Sequence, residues 1–442
     1  MKSSPSNNPD LLARCLSAVW HPCSQMKHYE HFPLLPISHG KGVWLYDYEG
    51  KRYLDAVSSW WVNLFGHCNP EINAALRDQL ETLEHVMLAG FTHAPVVELS
   101  ERLRTLAPKG LGHCSYGSDG AAAIEIALKM SAHYWRNSGH PGKTCFISLQ
   151  NSYHGETLGA LSVTDVALFR DAYGPLIRQQ ATVRSPDSRL AQVGETANQY
   201  AMRCAGELAE HLRRHHGQVA ALILEPLVQG AAGMAMYPPI YLKRAREICD
   251  EFGVHLIADE IAVGMGRTGT LFACEQADIT PDFLCLSKGI TGGYLPLSVV
   301  MTTDEIYQAF YADETARAFL HSHSYTGNPL ACRAALATLD IFERNDVIAE
   351  NARKAKYLNA AAAQLRSHPA VRNWRNTGMI WAFEVDSPHA DFAQRCYQLA
   401  LQHELLLRPI GKTIYFMPPY VISEEEINHL LGATLSLVQA LS

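Results

Sequence analysis

The stretch "IADEIAVGMGRTG", residues 257–269, decides how this chain of 442 residues is read. Gly264, Gly266 and Gly269 have the spacing G-x-G-x-x-G and follow an apolar run. A dinucleotide-binding turn would pass at once into a helix whose N-terminus meets the pyrophosphate. Here the run ends in Asp259 and Glu260, which puts carboxylates where phosphate would sit, and "TLFACEQ" after Gly269 is no helix start. With 30 glycines in the chain, such a triplet arises readily by chance. The triplet reads as a loop, and the weight moves to Asp259.

Working outward, short apolar runs recur: "KTCFISL" at 143–149, "VAALILEP" at 219–226, "VHLIADEI" at 254–261 and "DFLCLSKG" at 282–289. Each is rich in branched residues and separated from the next by helix-length sequence. That pattern predicts an α/β fold with a mostly parallel sheet covered by helices on both faces. Before it, "HGKGVWLYDYEGKRYLDAVSSWW" at 39–61 alternates turn and β-forming residues, as short antiparallel strands do. After "GNPLACRAALATLDIFERN", the runs "MIWAFEV" and "TIYFMPP" and a last helix from about Ser423 suggest a second, smaller α/β region. The expected organisation is an N-terminal arm over 1–69, a large domain over 70–330 and a small C-terminal domain over 331–442.

Hydrophobic residues make up 48% of the chain and charged ones 18%, and the net charge is −7. There is no basic footprint for nucleic acid and no like-charge block for a membrane surface. "MKSSPSNNPD" at the N-terminus lacks an apolar signal core, and no apolar stretch approaches the ~18 residues of a membrane span. A cytoplasmic protein acting on small molecules is expected. The 11 cysteines are odd in number and form no C-x-x-C pair, so neither a disulfide framework nor a metal site is expected.

Asp259 closes one predicted strand and Lys288 the next, at the carboxyl edge where α/β sheets place ligands. Lysine is rarely buried unless paired, and this one precedes Gly289, Gly292 and Gly293. Pyridoxal phosphate chemistry uses both groups: an amine to join the cofactor's aldehyde, and a carboxylate to keep its pyridine nitrogen protonated. A phosphate would need donors, and "YGSDGAAAIEIALKM" offers Ser118 or Asp119 as N-cap with the N–H groups of Gly120 and Ala121 beyond it. The ring would need a face, and "NSYHGET" supplies Tyr153 beside His154. Taken singly, these also read as a strand-end lysine, an ordinary capped helix and a loop tyrosine.

In order along the chain, "SDGAAAIEIALKM", "NSYHGET", "EPLVQGAAGM", "ADEIAVGMGRTGTLFACE", "LCLSKGITGG" and "HSYTGNPLAC" resemble the class III aminotransferases of the fold type I pyridoxal phosphate enzymes. The resemblance implies that Lys288 carries the cofactor covalently, that Asp259 faces the pyridine nitrogen, and that Gly120 and Ala121 meet the phosphate. It implies that Tyr153 covers the ring and borders the substrate. "HPCSQM", "AVSSWW" and "RPIGKTIYFMPPY" are similar to the branch that converts 8-amino-7-oxononanoate to 7,8-diaminononanoate in biotin biosynthesis, with S-adenosyl-L-methionine as amino donor. That branch implies substrate-lining roles for Trp60, Trp61, Cys23, Arg267 and Ser322, and a carboxylate-binding role for Arg408. It further implies a homodimer with shared active sites, in which His323 and Ser324 reach the phosphate of the other subunit.

The chain departs from the family pattern at Ala121, often a serine, at Ser322 for glycine, at Glu156 for aspartate, and at Cys23, where some relatives have an aromatic residue. L-lysine is the alternative donor. Of two other readings, a nicotinamide-dependent oxidoreductase is separable by the colour of the purified protein, and a non-catalytic binding relative would be expected to have lost Lys288, which this chain keeps.

Overall fold

The computed structural model describes residues 8–30, 32 and 34–442. They divide into two compact units. One takes the N-terminal segment up to Pro70 with Arg353–Trp374 and Trp381–Ser442; the other takes Glu71–Ala352 and Arg375–Ile380. The helix Pro329–Arg344 packs on the helix Ala94–Leu106 within the large unit.

In the first unit β1 (Ile37–Lys41), β2 (Trp44–Asp47) and β3 (Arg52–Asp55) form an antiparallel meander, as the alternating sequence predicts.

The large unit is built on one sheet of seven strands: β4 (Leu111–Gly117), β5 (Cys145–Leu149), β6 (Ala181–Val183), β7 (Val219–Leu224), β8 (His255–Asp259), β9 (Phe283–Leu286) and β10 (Ser298–Thr303). Their order is β4-β10-β9-β8-β7-β5-β6. All pairings from β9 through β6 are parallel, whereas β10 runs antiparallel to both its neighbours. The link from β9 to β10, residues 287–297, is shorter than the dozen or so residues a crossover needs. The chain therefore turns back.

β7 and β8 are buried along their whole length. The helix Gly120–Asn137 adds Ile124, Ala127 and Leu128 to the same core. At ~1.5–3 kcal/mol for each large apolar side chain buried, the middle of the sheet is committed to packing. Asp259 lies at the carboxyl end of β8.

Back in the first unit, β11 (Ile380–Val385) pairs antiparallel with β13 (Thr413–Phe416), placing Trp381 opposite Phe416. The short β12 (Leu405–Leu406) adds in parallel to β3. The last helix, Glu424–Leu441, starts at Ser423 with a reciprocal cap: the Ser423 hydroxyl accepts the Glu426 N–H at 3.2 Å, and the Glu426 carboxylate accepts the Ser423 N–H at 2.8 Å. Among the described residues no helix is long and apolar enough to cross a membrane.

Candidate active site

Parallel pairing sets Asp259 opposite Cys285, three positions before Lys288. The Lys288 side chain is half-buried with its amine enclosed by protein, and its φ is 45°. A side-chain-bearing residue in this left-handed region stores strain of the kind found at functional sites. Burial pushes the Lys288 amine below the usual lysine range, with the carboxylates of Asp259 and Glu225 pulling the other way.

Asp259 is fixed on both oxygens. Oδ2 meets His154 Nδ1 at 2.7 Å, and Oδ1 accepts the Ile261 N–H at 3.1 Å. His154 is itself held by its N–H on the Thr164 hydroxyl at 3.0 Å, and its Nε2 is buried without a partner. With nothing bound to Nε2, the imidazole proton belongs on Nδ1, where it is donated to Asp259.

Glu225, one residue beyond β7, was read from sequence only as the tail of an apolar run. One of its oxygens accepts the Tyr153 N–H at 3.0 Å and the other the Gly230 N–H at 2.9 Å. It thereby fixes the backbone of Tyr153, whose hydroxyl donates to Glu156 at 2.9 Å. Burial raises the Glu225 carboxyl to about 7. The rule that singled out Asp259 and Lys288, a polar side chain at a strand's carboxyl end, applies equally to Glu225.

Helix geometry leaves the first N–H groups of Gly120–Asn137 without intrahelical acceptors. Asp119 accepts the Ala122 N–H at 2.9 Å, and Gly120 and Ala121 take the first two positions of the helix, where N–H groups are available to an anion. A methyl group at Gly120 would lie 3.0 Å from Ile261, and one at Gly155 would lie 2.7 Å from the Ala121 side chain. These close approaches gather the helix N-terminus, the Tyr153–Gly155 loop and the end of β8 around one point. The residues present fit pyridoxal phosphate: a lysine with a buried amine, an anchored aspartate, an anion-binding helix start and an aromatic face.

The loop with the glycine triplet is organised around Glu260. Its carboxylate accepts the N–H groups of Ala273 and Cys274 at 2.7 and 2.8 Å, so a side chain of this loop occupies the role a phosphate has in a dinucleotide fold. Arg267 is buried in that loop, with its carbonyl accepting the Met379 N–H at 2.8 Å. Ser322, His323 and Ser324 lie on a separate segment of the large unit; both serines are exposed, and His323 Nδ1 is buried without a partner.

Cys23, Trp60, Trp61 and Arg408 belong to the other unit. Trp61 is buried and its indole N–H donates to the Tyr415 hydroxyl at 3.1 Å. Trp60 is 41% exposed, with the Arg408 guanidinium 4.7 Å from its ring centroid. Arg408 also lines a cavity of about 400 Å³ together with Cys23, Tyr29, Leu34 and Tyr397. Cys23 sits there exposed, with φ of 49°.

A family model for class-III aminotransferases matches residues 25–438. The chain is 45% identical over 440 residues to the adenosylmethionine-8-amino-7-oxononanoate aminotransferase of Helicobacter pylori, covering 98% of each. To that of Geobacter sulfurreducens it is 42% identical, over 93% of this chain and 94% of the relative. The crystal structure of the aminotransferase of that name from Methanocaldococcus jannaschii matches with a TM-score of 0.93 at 37% identity, covering 99% of this chain and 100% of that one. An amine transaminase from an uncultivated Pseudomonas species, solved in its PLP-bound form, matches with a TM-score of 0.91 at 32% identity, covering 96% and 99%. Sequence and fold agree over nearly the full length, and the chain belongs to the class-III aminotransferases, enzymes that depend on pyridoxal phosphate.

Proposed function

We propose that the chain transfers an amino group from S-adenosyl-L-methionine to 8-amino-7-oxononanoate, giving the 7,8-diaminononanoate of biotin biosynthesis. It works as a cytoplasmic homodimer with shared active sites. The observation that carries the reaction class is Lys288, its amine buried, one strand from an Asp259 that His154 anchors. The substrates follow the names of relatives up to 45% identical, and Arg408 held over Trp60 suits an acceptor with a carboxylate.

Pyridoxal phosphate supplies, when bound, a carbonyl that takes up the amino group and a ring that withdraws electrons from the reacting carbon. Asp259 holds a fixed negative charge toward the ring nitrogen. The Gly120 and Ala121 N–H groups and the dipole of their helix hold the phosphate. Tyr153, pinned by Glu225 and Glu156, covers the ring and keeps water off it. The Lys288 amine, lowered by burial, accepts a proton from the substrate carbon at Nζ and returns it. Arg408 takes the acceptor's carboxylate, with Trp60 and Trp61 flanking the aliphatic chain. Ser324, exposed on the surface of the large unit, serves the phosphate in the partner subunit, together with His323.

Purified protein given S-adenosyl-L-methionine and 8-amino-7-oxononanoate should form 7,8-diaminononanoate, detected by mass spectrometry, and neither substrate alone should yield it. Product with L-lysine and none with S-adenosyl-L-methionine reassigns the donor. No product with either donor refutes the acceptor.

A further inference from the structure

The tryptophan turn of the first unit is built against its own backbone preference. Ser58, Ser59, Trp60 and Trp61 have φ of 50°, 47°, 73° and 73°. Residues with side chains enter this left-handed region singly if at all, and here four do so in succession. Such strain persists only where the surroundings over-determine it, and it gathers at functional sites.

A relay of side chains supplies the constraint. The Gly66 N–H donates to Asn63 Oδ1 at 2.7 Å, which fixes the end of the amide that carries the oxygen. Asn63 Nδ2 then donates to His67 Nδ1 at 3.2 Å. The His67 proton accordingly sits on Nε2, from which it is donated to Asp55 Oδ2 at 3.0 Å. The same oxygen accepts the Ser59 hydroxyl at 2.7 Å. Asp55 is fully buried and its Oδ1 meets no partner, so this carboxylate acts through one atom on His67 and Ser59 together. Ser58 is tied separately, its hydroxyl donating to the Met417 carbonyl at 2.7 Å. Beyond the relay, Trp61 is pinned by Tyr415 while Trp60 stays exposed beneath Arg408.

We propose that Asp55, through Ser59 and His67, is a positioning group that locks the left-handed turn so that the Trp60 ring seats the Arg408 guanidinium for the acceptor's carboxylate. This rests on the carboxylate role proposed above for Arg408. A guanidinium already restrained by a ring loses less rotamer freedom when its ligand arrives, so the lock acts on acceptor binding rather than on the proton transfers at Lys288.

The test compares Ser59→Ala with Ser59→Gly in the holoenzyme. Ser59 is exposed, and both variants remove the hydroxyl, but only glycine also removes the resistance to positive φ. With about one side chain's ordering returned to the binding step, Ser59→Ala should raise KM for 8-amino-7-oxononanoate about tenfold while kcat stays within about twofold. It should also alter a near-ultraviolet circular dichroism band that is missing from Trp60→Phe. Ser59→Gly should recover most of both changes. An unchanged KM and dichroism band in Ser59→Ala overturns the lock, as does a glycine variant no better than alanine, since the hydroxyl would then matter only as a hydrogen bond and not through the backbone it holds. If Arg408→Ala leaves the acceptor KM unchanged while Ser59→Ala still shifts the Trp60 band and glycine restores it, the carboxylate reading falls and the lock on Trp60 stands.

Discussion

His154 Nδ1 lies 2.7 Å from Asp259 Oδ2, with both side chains buried and the other imidazole nitrogen unpartnered. The imidazole has one polar neighbour to serve, and it serves it in surroundings where a charge-assisted bond is not diluted by water. This arrangement gives the two residues different weights. Asp259→Asn removes the fixed charge and should lower kcat by about two to three orders of magnitude, the range for losing one preorganised electrostatic stabiliser. His154→Ala leaves the charge but loses a bond of about 2 kcal/mol, on the order of thirtyfold in rate. Steady-state kinetics on cofactor-loaded protein measures both, and equal losses would contradict the ranking.

Glu225 should leave a mark on stability against pH. Its carboxyl is raised by burial from 4.5 to about 7, so between those values the folded chain holds a proton that the unfolded chain has released. Stability from this group is present below about 4.5 and declines as pH rises toward 7. Glu225→Gln offers an amide N–H₂ to a backbone donor and so starts from a lower baseline. Its melting temperature should nonetheless fall less between pH 5 and pH 7.5 than that of the parent, by roughly 1 °C for each kcal/mol of linkage removed. Parallel melting curves across that range would refute the ionisation assigned to Glu225.

Shared active sites predict complementation between defective subunits. In a heterodimer of Lys288→Ala and Ser324→Ala chains, one site carries both lesions and the other carries neither. After subunit exchange an equal mixture should reach about a quarter of wild-type activity above the parental values, since half the dimers are mixed and each has one intact site. Exchange verified by native mass spectrometry with no gain in activity would argue for self-contained subunits.

Arg408→Ala should raise KM for the acceptor about thirtyfold to 150-fold, the equivalent of a bidentate charge-assisted pair at roughly 2–3 kcal/mol. Arg408→Lys should recover only part of this, because an ammonium lacks the planar fork and stacks less well on Trp60. Full recovery by lysine would mean that the site reads charge alone.

The sequence made the strand ends legible because apolar runs bounded by helix-length segments leave little choice of architecture, and the carboxyl edge then selected Asp259 and Lys288. It could not supply the direction of β10, since an apolar run has no polarity and only the shortness of residues 287–297 reveals the reversal. The bond between His154 and Asp259 joins positions 105 apart, a distance that no local spacing encodes. Glu225 was within reach of the edge argument but was absorbed into the apolar run before it. The left-handed turn at Ser58–Trp61 runs against the propensity of all four of its residues. Groups outside the turn hold it: Asp55 takes the Ser59 hydroxyl, the Met417 carbonyl that of Ser58, and Tyr415 the Trp61 indole.

The parallel pairing of β12 with β3 has a consequence for synthesis. Arg52 bonds to Glu404 across 352 positions, so the first strands to leave the ribosome must wait for almost the last segment before their sheet is complete. Loop closure over such a span is slow, and the large unit, continuous from Glu71 to Ala352, has most of its chain available long before. A nascent chain arrested near residue 352 should therefore protect the Lys288 region from protease while its first 70 residues are still cleaved, an order of assembly in which Lys288 is housed before the tryptophan turn exists.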